Sequence, residues 1–313
     1  MRLAYFGTPA DAVPPLVALV GAGHDIVLVV TQPDRRRRRG KGVDPSPVKV
    51  AAIELGLTVL TPERAREVVY AVAASGAELG VVVAFGQVLP TALLDALPQG
   101  FVNLHFSLLP RWRGAAPVER AILAGDAETG VAVMAVEPSL DTGPLYAEER
   151  VRIGAEENAG ELRTRLVQVG TELLVRTLRL LPDLVPVAQL DGEPTYAEKL
   201  TVEEFELRAV LPVEELLRLV RAGNPRPGAW FQIEDARVKV WRAHAAAPAN
   251  AASGAADVPP GTVTADGGLV TADGVLELDE VQPAGKRPMP GAAWRRGLGP
   301  NPPRVVPAGE VAP

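Results

Sequence analysis

The chain is 313 residues long, with 32 Lys+Arg against 38 Asp+Glu and a formal charge of -6. Its 47% hydrophobic and 22% charged residues exclude a wholly disordered or fibrous chain, and the length suits about two domains. With no cysteine and only His24, His105 and His244 as histidines, disulfides, thiol nucleophiles and an i, i+4 histidine metal pair are all excluded.

The opening MRLAYFGTP turns polar after Phe6, and no apolar run approaches the ~20 residues of a membrane span, so a soluble, cytoplasmic protein is expected. Residues 2–6, 26–31 and 80–85 are short apolar, β-branched-rich runs, as expected for strands buried on both faces. Helical spacing over 11–20, 48–55 and 63–74 separates them. A further strand at 100–104, a helix at 116–124, a strand at 130–136 and a long helix at 159–181 complete a β-α-β pattern. It predicts a doubly wound, mostly parallel α/β sheet that binds ligands at the carboxyl ends of its strands.

After Pro182 the texture changes, and Pro194 to Glu204 reads as an extended connector. The expected division is a catalytic domain over 1–189, a linker over 190–206 and a smaller OB-like β-barrel over 207–313. The last part holds a helix at 212–222 and short strands at 229–233, 237–242, 261–264, 268–271 and 275–281. Residues 245–260 read as a low-complexity loop, and the tail from Pro300 as disordered.

Three clusters could carry chemistry. Gly7-Thr8-Pro9 follows the first strand but lacks the second and third glycines of a dinucleotide fingerprint, which disfavours hydride transfer. Asn103 and His105 share one side of a strand at its carboxyl end, where both can donate to an oxygen gaining charge in carbonyl addition; capping of the strand end is the alternative. Asp141, in Leu140-Asp141-Thr142-Gly143, follows the next strand and could orient His105 and take a proton through water. Alone, Asp-Thr-Gly is a turn signal and resembles half of an aspartic protease.

The string SLLPRWRGAAP (Ser107 to Pro117), with Asn103-x-His105 before it and Leu140 to Gly143 after it, resembles the methionyl-tRNA formyltransferase family of folate-dependent enzymes. The likeness extends through Thr31-Gln32-Pro33-Asp34, Pro45-Ser46-Pro47, Phe85-Gly86 with Leu89-Pro90, Asn224-Pro225 and Gln282-Pro283-Ala284-Gly285-Lys286. It implies transfer of a formyl group from N10-formyltetrahydrofolate to the methionine α-amine on initiator tRNA, without a metal. It further implies a catalytic trio of Asn103, His105 and Asp141. Ser107, Leu108, Leu109 and Pro110 would contact the folate, and Phe85, Gly86 and Leu89 would line the pterin pocket.

The resemblance also points the loop after the second strand at the tRNA acceptor arm. Arg35, Arg36, Arg37, Arg38, Arg39 and Lys41 suit phosphate contacts and stacking on unpaired bases, although the net acidity of the chain counts against a polyanionic partner. The family has small residues and proline where Arg36 to Arg38 stand, and Glu137-Pro138-Ser139 departs from its usual turn. Neither a membrane nor a protein partner is indicated. A formyltransferase acting on a sugar-nucleotide or other small amine, and a non-catalytic tRNA-binding protein, are the alternatives.

Overall fold

The computed structural model describes residues 1–36, 42–189, 192–234, 236–247, 258–301 and 304–306. The expected features at Arg37, Arg38, Arg39 and Lys41, and most of the low-complexity segment, lie outside them. Contacts cluster into two compact units. The first comprises residues 1–117, 127–152 and 163–198; the second comprises 118–126, 153–162 and 199–313.

A seven-stranded sheet forms the first unit. Its strands are β1 (Arg2–Gly7), β2 (Asp25–Val30), β3 (Val59–Leu60), β4 (Leu79–Val83), β5 (Phe101–His105), β6 (Glu128–Ala135) and β7 (Leu145–Arg152), in the order β7-β6-β5-β4-β1-β2-β3. The strands from β3 to β5 run parallel, whereas β6 is antiparallel to β5, and β7 to β6. Strand order reverses between β1 and β4, which opens a crevice at their carboxyl ends.

Local chemistry sets the elements between the strands. Helix α1 (Val13–Gly21) opens on Pro14 and Pro15, and α2 (Pro47–Glu54) starts at a proline after Ser46, whose Oγ accepts from the Lys49 N–H at 3.0 Å. The stretch expected as one helix over 63–74 divides into a 3-10 turn at Ala65–Val68 and α3 (Val69–Ala74). Short α4 (Thr91–Leu94), α5 (Pro117–Ala124) and the long α6 (Ala159–Leu180) follow. Phe6 packs edge-on against Phe85 and Phe101, each with ring centroids 5.4 Å away, in a core that includes Val72, Leu89, Leu93 and Leu97. Gly80 is required there, because a Cβ would lie 2.0 Å from the Phe101 ring.

In the second unit, β8 (Ala229–Ile233), β9 (Ala236–Ala245), β10 (Leu269–Val270), β11 (Val275–Pro283), β12 (Met289–Pro290) and β13 (Val305–Val306) form an antiparallel sheet. Helix α7 (Val213–Gly223) and α8 (Gly291–Gly297) accompany it, and Phe231, Val240, Leu276 and Trp294 lie in its core. Two expectations change. Residues 261–264 make only an isolated bridge, Val263 to Leu269. The tail expected to be disordered contributes β13, whose Val305 is buried and pairs with Ile233. Among the described residues no helix is long and apolar enough to cross a membrane.

Candidate active site

The carboxyl end of β5 carries Asn103 and His105 on one side of the strand. Asn103 is half-buried, and its carboxamide makes no hydrogen bond among the described residues. His105 is buried, with Nε2 2.9 Å from the Trp112 carbonyl oxygen. A carbonyl only accepts, so Nε2 carries the hydrogen of this contact and Nδ1 is the ring atom that faces Asp141. That nitrogen lies 3.8 Å from Asp141 Oδ2.

Asp141 arrives by a route the sequence reading did not anticipate. Because β6 is antiparallel, its carboxyl end lies opposite Val102, whereas His105 pairs with Ala132. The loop 136–144 therefore folds back to bring Asp141 to His105. Asp141 adopts a left-handed φ of 50°, and its Oδ2 accepts from the Gly114 N–H at 2.8 Å. Its 15% side-chain exposure leaves the carboxylate within reach of solvent.

The SLLPRWRGAAP loop is held from both sides. Fully buried Ser107 donates to the Arg111 carbonyl at 2.6 Å, so the hydroxyl expected at the folate fixes its own loop. Trp112, also left-handed at φ 61°, aims its carbonyl at His105 while its N–H donates to Thr195 Oγ1 at 2.8 Å. Arg113–Gly114 then pairs in parallel with Tyr196–Ala197, the segment expected as a featureless connector. Gly114, at φ 120°, permits this, since a Cβ would meet the Ala197 carbonyl at 2.8 Å.

At the switch-point crevice, Thr8 Oγ1 and Gln32 Nε2 both donate to the Phe85 carbonyl, at 2.9 and 3.0 Å. The Phe85 and Leu89 side chains, expected in the pterin pocket, are buried in the core, while Ala84 and Gly86 expose backbone of positive φ. Leu108 and Pro110 are half-buried, and Leu109 is buried against Ala132 and Met134. Residues 35–36 pair with Val43–Asp44 at the base of the arginine loop, and the Arg35 guanidinium donates to Gln32 Oε1. Groups of His, Asp and Glu able to hold a metal are absent among the described residues.

Sequence reasoning missed Gln189, Thr195 and Ala197, which hold the loops carrying Trp112 to Gly114 and Asp141 to Gly143. A lone glutamine and a threonine in a proline-rich stretch carry no local signal of that role.

The Formyl transferase family model matches residues 1–178, and its C-terminal domain model matches 199–299. A methionyl-tRNA formyltransferase of Dinoroseobacter shibae is 46% identical over 300 residues, covering 95% of this chain and 98% of its own. Among solved structures, Aquifex aeolicus HypX with tetrahydrofolic acid gives a TM-score of 0.66 at 16% identity, over 96% of this chain and 47% of that one. An N-formyltransferase of Helicobacter canadensis, solved with folinic acid and dTDP-3-aminofucose, gives 0.63 at 15% identity, over 88% and 97%. The likeness to these two structures lies in the fold, whereas the Dinoroseobacter relative aligns along nearly the whole chain at 46% identity. The chain belongs to the methionyl-tRNA formyltransferase family.

Proposed function

We propose that this chain transfers a formyl group from N10-formyltetrahydrofolate to the α-amine of methionine carried on initiator tRNA, with Asn103, His105 and Asp141 as its catalytic residues. The observation that carries this reading is the convergence of an uncommitted carboxamide, a buried imidazole and a carboxylate 3.8 Å from that imidazole. The folate supplies an activated formyl carbon. When the amine adds to that carbon, the Asn103 carboxamide donates to the oxygen that gains charge. His105, its Nε2 hydrogen committed to Trp112, faces Asp141 with Nδ1; with a hydrogen on that nitrogen as well, the ring carries positive charge beside the same oxygen. The amine must lose a proton as the new C–N bond forms, and Asp141 accepts it through water. The folate nitrogen takes up a proton as its bond to the formyl carbon breaks.

The arginine loop, with Arg35 to Arg39 and Lys41, contacts the acceptor end of the tRNA, and the second unit follows the nucleic-acid backbone, with residues 190–206 as the linker. Formyl transfer from N10-formyltetrahydrofolate to charged initiator tRNA, with charged elongator tRNA as control, tests the whole reading. Formylmethionyl-tRNA is expected from the initiator; its absence overturns the assignment.

A further inference from the structure

We propose that Gln189 is a positioning residue for Asp141: its carboxamide fixes the left-handed turn that delivers the carboxylate to His105. The inference rests on the role given to Asp141 above. A non-glycine residue at φ 50° is uncommon and persists only where its surroundings over-determine it. Gln189 supplies that constraint. Its Nε2 donates to the Asp141 carbonyl at 2.8 Å and to the Gly143 carbonyl at 2.9 Å, spanning the turn.

The other end of the amide is equally committed. Oε1 accepts from Arg113 Nε at 3.2 Å and Nη2 at 2.6 Å. A guanidinium only donates, so the orientation of the amide is settled and its two N–H groups must face the carbonyls. The neighbouring Gly114 N–H holds Asp141 Oδ2, so Arg113, Gln189, Asp141 and Gly114 close a ring of contacts around the carboxylate. The segment carrying Gln189 is itself tied down, since Val187 and Leu145 exchange backbone hydrogen bonds at 2.7 and 2.8 Å in an isolated bridge.

The isosteric Gln189→Glu keeps an acceptor for Arg113 and sets an oxygen against two carbonyls. Gln189→Met removes both halves of the bridge and is read by the same criteria if the Glu variant does not fold. In steady-state formylation of charged initiator tRNA, kcat is expected to fall about tenfold, with KM for tRNA and folate within about twofold of wild type. In single-turnover measurements, Asp141→Asn combined with Gln189→Glu is expected to be no slower than Asp141→Asn alone, because Gln189 acts only through that carboxylate. Hydrogen exchange of the Gly114 amide is expected to quicken in Gln189→Glu. A wild-type kcat, losses that multiply in the double variant, or unchanged Gly114 exchange overturns the inference alone; wild-type protein that makes no formylmethionyl-tRNA overturns it together with the functional reading.

Discussion

Asn103 and His105 divide the work by what each side chain still has to offer. The imidazole spends its Nε2 proton on Trp112, whereas the carboxamide has no partner among the described residues. In the proposed reaction Asn103 is therefore the donor that gains strength as the formyl oxygen gains charge. Loss of one such donor typically removes ~2.7 to 4 kcal/mol of transition-state stabilisation. Asn103→Ala should accordingly lower kcat by about two to three orders of magnitude with its unfolding midpoint unmoved, and a near-wild-type rate would take Asn103 out of the mechanism. At this scale the trio could be read from the chain because Asn-x-His ends an apolar run and an Asp-Thr-Gly turn follows the next. The contacts orienting them could not, because Ser107 and Gln189 act on backbone carbonyls whose positions only the folded loops define.

Strands buried on both faces announce themselves, which is why β1, β2, β4 and β5 stand where the apolar runs do. Strand β7 does not, since LYAEERVR holds an edge position with most of its side chains partly or fully exposed and reads as a polar stretch. The antiparallel direction of β6 is equally hidden, as residue pattern carries no information on strand direction. The arginine run is the opposite case, a conspicuous sequence feature of which the described part is a two-residue ladder, Arg35–Arg36 against Val43–Asp44. Phosphate contacts made by such a loop release counterions on binding. Replacing Arg36 to Arg39 together with Ala should raise KM for tRNA and reduce the steepness of its salt dependence, while folate binding stays unchanged. An unaltered salt slope would separate the loop from tRNA binding.

For the molecule as a whole, the net charge of -6 says little about partners, because five of its 32 basic side chains stand consecutively in one loop. Stability carries a different electrostatic signature. Both ring nitrogens of His24 are buried without a hydrogen-bond partner among the described residues, and its pKa lies below the ordinary 6.5 because of burial, then the Met1 amino group, then Arg179. The unfolded chain therefore takes up this proton more readily than the folded one. The resulting contribution is complete above pH 6.5 and is lost as the pH falls below that value toward the folded-state pKa. His24→Leu should flatten the acid side of the stability profile in denaturant titrations from pH 5 to 8, and a slope identical to wild type would assign that dependence elsewhere.

The bonds from Thr195 to Trp112 and from Gln189 to Asp141 join positions 83 and 48 residues apart. A chain grows from its amino end, so every strand of the first unit's main sheet is synthesised before these partners exist. The loops proposed to be catalytic therefore gain these braces only after the sheet's own residues are complete. A nascent chain ending before Gln189 carries the sheet, the three side chains proposed to be catalytic and the His105–Trp112 and Asp141–Gly114 contacts, without the Gln189 and Thr195 bonds that brace their loops.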